Sequence, residues 1–462
     1  MRGRWPVVLA VFCLTMAVCW TSLPALATQI PVSALDVATF RPHETTGWDR
    51  LRSAIGVLVL VGLCALMSRN RRAIDWRLVG IGLSLQALFA VLILWTAPGR
   101  AVFGTANDAV VSLLSYGEQG SAFLFRSFIT GQVEPGLVSF AFKVLPSIIF
   151  FSSLMAILYH VGIMGAVIRA LSVLMQKTMR TSGAETLSTA ANIFVGQTEA
   201  PLLVRPFVST FTRSELLVVM AGGMANTAGG VLAAYVGMLQ GSFPDIAGHL
   251  LAQSIMSAPA ALVCAKVIWP EDGVPVTQGT TNIVIPKVDA NIVEAAARGA
   301  SEGMALALNV AAMLVAFIAL VAGANAGLEW ATTSLGLTPI TFQQIAGWFF
   351  RPLAWIMGVP AADCPEIGTL LGTKLVLNEF IAYSDLATGL TNHSLVVSER
   401  ATLIASYALA GFANFASIGI QVGGIGALAP ERRGDIATLG LFALVAGSFA
   451  TFMTACFAGI LG

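Results

Sequence analysis

Asn192-Ile193-Phe194-Val195-Gly196-Gln197-Thr198-Glu199-Ala200-Pro201 sets a run of polar side chains inside an apolar chain. A carboxylate at bilayer depth costs about 2.5–3.5 kcal/mol on insertion scales, so Glu199 there requires a partner, water or a solute. Gly196 and Pro201 can break a helix and free backbone groups for binding. The alternative is a cytoplasmic turn between two helices. A second stretch of the same build, Gly372 to Tyr383, favours a site within the membrane.

The surrounding composition fits that reading. Apolar residues make up 56% of the 462 residues and charged residues 11%, with a mean hydropathy of +0.82. These values lie far from soluble domains and indicate an all-α, polytopic membrane protein of one transmembrane domain. The net charge of +1 and the lack of a basic patch exclude nucleic acid as a partner. Cysteines 13, 19, 64, 264, 364 and 456 lack C-x-x-C spacing, histidines 43, 160, 249 and 393 are scattered, and neither H-E-x-x-H nor G-x-S-x-G occurs. Neither a bound cofactor nor an enzymatic centre is therefore expected.

Residues 1–27 carry Arg2 and Arg4, an apolar run from Val7 to Val18, and Ala25-Leu26-Ala27. They read as a removed signal peptide, with an uncleaved first helix as the alternative. Spans follow at about 52–68 and 78–97, and Arg69, Arg71, Arg72 and Arg77 place the loop between them in the cytoplasm. Residues 100–136, with Asp108, Glu118, Arg126 and Glu134, suit helices lying at an interface. A long third span is expected at 138–172.

Residues 183–212 lack a clean apolar stretch of ~20 residues and read as a re-entrant hairpin. A span at 215–240, interrupted at Gly222 to Gly230, and a plain span at 246–268 follow. A loop at 270–298 carrying Lys287 and Arg298 leads to a span at 300–326. The order then recurs: a hairpin within 360–396, a broken span at 400–425 and a plain span at 436–460. Gly-Met-Ala-Asn-Thr-Ala (223–228) matches Gly-Phe-Ala-Asn-Phe-Ala (411–416). An odd number of crossings separates the two units, which inverts one relative to the other. Inverted repeats with discontinuous helices are an architecture of secondary transporters. Eight crossings are expected in all.

Gly196 to Pro201, Lys374 to Tyr383 (K-x-x-x-N-E-F-I-A-Y) and Gly411 to Ser417 (G-F-A-N-F-A-S) resemble, in the same order, motifs of the concentrative nucleoside transporters. The similarity covers roughly 50–460. It implies a homotrimer in which each protomer moves its hairpins as a transport domain against a scaffold. The corresponding division is 1–27, signal peptide or first helix; 28–182, N-terminal helices on the scaffold side; 183–268, first repeat; 269–359, linker and scaffold helix; and 360–462, second repeat.

By the same resemblance, base-binding positions fall on Gln197, Thr198 and Glu199, and ribose-binding positions on Glu379, Asn414 and Ser417. The chemistry is apt, because Gln and Thr match the donors and acceptors of a nucleobase edge and adjacent hydroxyls can both donate to one carboxylate. Phe412 is placed near the base, with simple helix packing as its alternative. The sodium positions fall on Asn192, the Val195 carbonyl, and Asn226 and Thr227. Asn226 departs from the family's usual hydroxyl residue, and protons are the rival ion, with Glu199 or Glu379 as carrier.

The expected protein is an ion-coupled nucleoside importer in a bacterial-type inner membrane. A channel, or a transporter of another small polar solute, is the alternative. Lys374 and Asn378 are also readable as a local i, i+4 pair. Tyr383 reads as an interface anchor, and Asp363 and Glu366 as solvated residues outside the apolar frame.

Overall fold

A computed structural model describes residues 40–127, 133, 140–279 and 289–462. The signal-peptide reading, Glu134 and Lys287 lie outside the described residues. These are helical throughout, with no strand among them beyond an isolated bridge between Ser182 and Gln278. The helices are α1 Gly47–Leu66, α2 Trp76–Ala90, α3 Ala97–Phe125, α4 Phe140–Val161, α5 Ile163–Met179, α6 Gly183–Ala191, α7 Arg213–Ala225, α8 Gly229–Leu239 and α9 Ile246–Ile268. They continue with α10 Ile292–Ser334, α11 Phe342–Met357, α12 Cys364–Val376, α13 Glu379–Thr391, α14 Glu399–Leu409, α15 Phe415–Leu428 and α16 Arg433–Leu461. A π turn, Val91–Trp95, extends α2, and a 3-10 turn, Ala200–Val204, leads into the single turn Arg205–Val208.

Local sequence sets many of these ends. Thr46 with Asp49, Ser182 with Glu185, Thr212 with Glu215 and Thr341 with Gln344 form capping boxes that satisfy N-terminal backbone donors on α1, α6, α7 and α11. Asn378, Ser398 and Asn414 cap α13, α14 and α15. Gly162, at φ +92°, divides the expected long span at 138–172 into α4 and the amphipathic α5. A left-handed residue there ends one helix and redirects the next. Residues 97–125 form one helix, α3, exposed along most of its length.

Six described segments are long and apolar enough to cross a bilayer: 76–95, 144–161, 213–239, 246–268, 292–334 and 430–461. The other two expected crossings are α1, which carries Asp49, Arg50 and Arg52 in its first turns, and the interrupted pair α14–α15. Burial separates two roles. The apolar windows of α7–α8 and of α9 are 89% buried, whereas that of α10 is 6% buried. A helix buried on every side lies in the interior, and an apolar helix this exposed needs lipid or another chain around it. The core accordingly gathers on α7, α9 and α16, while α10 packs chiefly on α4.

The order of short helical segments, broken helix and straight helix occurs twice, as α6 with its turn, α7/α8 and α9, then as α12/α13, α14/α15 and α16. Both straight helices pack on both broken ones, α16 on α7 and α14, and α9 on α7 and more lightly on α14. The six-residue match that suggested the repeat is out of register. Gly223-Met224-Ala225 lie inside α7, whereas Gly411-Phe412-Ala413 lie in the break after α14. The breaks themselves are 226–228 and 410–414.

Three readings of single residues change. Asp363 is fully buried, with Arg41 at 2.5 Å and the backbone N–H and hydroxyl of Ser398 donating to it at 3.0 and 2.6 Å. Glu366 is half-buried. Tyr383 is no interface anchor: it is buried, stacks on Tyr235 at 4.2 Å and donates to the Ser406 carbonyl. Lys374 and Asn378 do not pair. Lys374 reaches α14, and the Asn378 amide oxygen accepts from Ile381 N.

Candidate functional site

The two helix breaks meet. Gly411, at φ +90°, lies so close to the end of α7 that an added Cβ would stand 2.7 Å from the carbonyl oxygens of Met224 and Ala225. Only glycine meets both demands. Its N–H donates to Thr227 Oγ1 at 3.0 Å, which ties one break to the other.

Beside this junction a hydrogen-bonded chain reaches from Glu379 of α13 to Gln197 beyond α6. Asn414, in the N-cap position of α15, accepts from Ser417 N at 2.9 Å and donates to Glu379 Oε2 at 2.8 Å. Glu379 Oε1 accepts from Tyr235 of α8 at 3.1 Å. Ser417 Oγ accepts from Gln197 Nε2 at 3.2 Å, and Gln197 Oε1 accepts from Gln421 Nε2 at 3.1 Å. Gln197 itself is held against α7 at Gly223, where a Cβ would approach its own Cβ to 2.8 Å. Gln197, Glu379, Asn414 and Ser417 are thus brought together, all buried.

Three other predicted residues stand around that chain. Thr198 is half-buried against Gly424 of α15, and Phe412 is half-buried within the second break. Glu199 is exposed, and its carboxylate folds back over its own turn to accept from Gly196 N at 2.5 Å. Glu379, by contrast, is held by Tyr235 and Asn414. The structure therefore records no joining of the two acidic side chains.

The network has capacity to spare. A carboxylate offers about four lone-pair sites, and Glu379 uses two on protein donors. Gln197 keeps one N–H and one lone pair beyond its bonds to Ser417 and Gln421. Such a constellation offers acceptors for hydroxyl groups and both a donor and an acceptor beside them.

The predicted cation residues surround the first break. Asn192, 1% exposed, donates through Nδ2 to Ser188 O at 3.1 Å, and its Oδ1 has no hydrogen-bond partner. A buried carbonyl oxygen without a donor costs roughly 1–3 kcal/mol, which a cation would offset. Asn226 Oδ1 accepts from Ser257 Oγ at 2.5 Å while its Nδ2 donates to Gly222 O at 3.0 Å. Val195 is half-buried, one turn beyond Ala191, and Thr227 is buried. Neutral oxygens of this kind fit a hard monovalent ion.

Comparison with known proteins matches the chain to one family. Profiles described as Na+ dependent nucleoside transporter N-terminus, nucleoside recognition (gate) and Na+ dependent nucleoside transporter C-terminus match residues 55–128, 141–242 and 249–459. A Haemophilus influenzae protein named as an uncharacterized transporter is 44% identical over 416 residues, covering 89% of this chain and 97% of its own. The chain belongs to the concentrative nucleoside transporter family. Like other concentrative nucleoside transporters it is a multi-pass membrane transporter, not an enzyme.

Sodium/nucleoside cotransporter 1 of Mus musculus is 41% identical over 433 residues, covering 89% of this chain. This chain spans 64% of that protein's length. The family member CNTnw in an inward-facing substrate-bound state aligns with a TM-score of 0.81 at 41% identity, over 89% of this chain and 98% of its own. A double variant of CNTnw in an outward-facing state aligns with a TM-score of 0.82 at 40% identity, over 90% and 98%.

Sequence reasoning missed Tyr235 and Gln421. Gln421 had a signal: Asn414, Ser417 and Gln421 recur at i, i+3 and i+7, a polar stripe along a helix otherwise apolar. Tyr235 had none, since its partner Glu379 lies 144 residues away.

Proposed function

We propose that this transporter imports nucleosides across a bacterial inner membrane, driven by sodium and working by alternating access. The observation that carries the reading is the chain Glu379–Asn414–Ser417–Gln197, which links a carboxylate of the second hairpin to an amide of the first across the paired breaks. Glu379, Asn414 and Ser417 take the ribose hydroxyls, while Gln197, Thr198 and Glu199 take the base edge, with Phe412 beside its face. The arms α6 and α12, of nine and 13 residues, are roughly 14 and 20 Å long, short of the ~30 Å bilayer core, which supports re-entry from opposite sides.

Asn192, the Val195 carbonyl, Asn226 and Thr227 hold the sodium ion. Asn192 stands five residues before Gln197, so a bound ion fixes the hairpin tip that meets the base. Thr227 also fixes the Gly411 N–H, beside Phe412 and Asn414. Ion binding thereby orders both halves of the solute site, which is the differential affinity that coupling requires. Sodium is favoured over protons by the Asn192 oxygen, a ligand that a proton carrier does not need. The exposed apolar face of α10, with Val315, Leu320 and Trp330, is assigned to lipid and to the neighbouring protomers of a homotrimer.

Proteoliposomes given an inward sodium gradient and labelled uridine test the reading. The expected result is accumulation above the external concentration. Equilibration without accumulation identifies a channel.

A further inference from the structure

The carbonyls that end α14 lack intrahelical donors, as at any helix C-terminus. Lys374, near the end of α12 and 2% exposed, supplies them. Its Nζ donates to Ala408 O at 2.8 Å, Ala410 O at 3.0 Å and Thr451 Oγ1 at 3.3 Å. The Thr451 hydroxyl gives its own hydrogen to Ser448 O at 2.8 Å, so it turns a lone pair toward Nζ. Three acceptors match the three N–H groups of an ammonium, and the Phe452 ring lies 5.8 Å from Nζ. Among the described residues no carboxylate comes within ion-pair distance of it. Its direct hydrogen-bond partners are three neutral oxygens, the kind of ligand an alkali ion takes.

The first break has the same frame around a different residue. Asn226 occupies the C-cap of α7 as Ala410 occupies that of α14. Ser257 of α9 reaches Asn226 as Thr451 of α16 reaches Lys374. On the hairpins, Lys374 stands 11 residues beyond the N-cap Asp363, and ten residues beyond the N-cap Ser182 stands Asn192, with its unpartnered oxygen. Ser188, one turn earlier on the same face of α6, has a second buried oxygen without a partner.

We infer that Lys374 is a tethered cation that does at the second break what the mobile ion does at the first, so that each protomer needs one coupling ion instead of two. The inference rests on the proposal that Asn192 and the first break hold that ion. It makes Lys374 a positioning residue: it fixes the carbonyl end of α14 and, through it, the Gly411–Asn414 segment that carries the solute-binding groups. Restoring a neutral oxygen at 374 recreates the chemistry of the first break and opens a second sodium site.

The test compares full-length wild type, Lys374→Gln and Lys374→Met. Thermal midpoints are measured as sodium chloride replaces choline chloride at constant ionic strength, and sodium activation of uridine uptake is measured alongside. Wild type is expected to show one saturable sodium step with a Hill coefficient of about 1. Lys374→Gln is expected to melt lower in choline, to recover with sodium in an additional saturable step, and to raise the Hill coefficient toward about 2. Lys374→Met, with no oxygen to offer, is expected to melt lower and not recover. The inference is overturned if Lys374→Gln and Lys374→Met respond to sodium alike, if either keeps the wild-type midpoint in choline, or if Lys374→Gln is unrecoverable in both salts. A wild type without a sodium step, beside a Lys374→Gln that has one, refutes the proposed coupling ion and leaves the tethered cation standing.

Discussion

Asn414 Nδ2 donates to Glu379 Oε2 at 2.8 Å while the oxygen of the same amide accepts from Ser417 N in the first turn of α15. One side chain therefore caps α15 and orients the carboxylate at the start of α13. Asn414→Ala removes both. The loss of a cap costs about 1 kcal/mol of stability, and the freed Glu379 no longer presents its oxygens in a fixed direction. Uridine uptake is expected to fall at least about tenfold, with the thermal midpoint only slightly reduced. Asn414→Asp keeps the cap but places a second carboxylate against the buried Glu379, so both the midpoint and uptake are expected to fall.

Tyr235 and Glu379 allow a graded comparison. Glu379→Gln removes the charge that the hydroxyls of the solute would meet, and abolished uptake is the expected outcome. Tyr235→Phe removes one hydrogen bond to a charged group, a contribution of about 1.5–3 kcal/mol. The KM for uridine is expected to rise by about tenfold or more, with transport retained. Wild-type rates in Glu379→Gln would exclude Glu379 from the solute site.

At the first break, Asn192→Ala deletes the unpartnered buried oxygen. Half-maximal activation by sodium is expected to shift at least about tenfold upward, while the KM for uridine at saturating sodium changes little. Ser257→Ala releases Asn226 Oδ1 from its 2.5 Å bond and is expected to alter sodium affinity without affecting uridine affinity at saturating sodium. Sodium titrations of initial uptake rates check both.

Lys266 joins the bases of several helices, with Glu185 at 2.8 Å and Glu271 at 3.0 Å. Glu185 and Glu215 are each 1% exposed, and Glu215 accepts from Ser182 Oγ at 2.6 Å. Lys266→Met strands buried carboxylates, and breaking such a pair costs about 3–5 kcal/mol. A marked drop in thermal midpoint is expected, partly recovered by the double variant Lys266→Met with Glu185→Gln. Differential scanning fluorimetry reads both.

Much of this architecture was legible in the chain. Apolar spans and the recurrence of polar-in-apolar stretches gave the helical class and the order of the elements. The internal motif match did not give the register. Gly-Met-Ala stayed helical in one unit while Gly-Phe-Ala unwound in the other, because Gly411 must adopt positive φ against the end of α7. Asp363 looked solvated because the arginine that neutralises it lies 322 residues away. The i, i+4 spacing of Lys374 and Asn378 suggested a local pair, yet the lysine is claimed by helix-end carbonyls 34 and 36 residues on. Spacing along one helix is visible in sequence, whereas partners supplied by packing are not.

Uridine uptake into proteoliposomes, with external sodium replaced by choline at two pH values, bears most directly on sodium-driven nucleoside import. Uptake that requires sodium at both pH values, with little change between them, is the predicted result. Uptake that persists in choline and follows the pH gradient would contradict it.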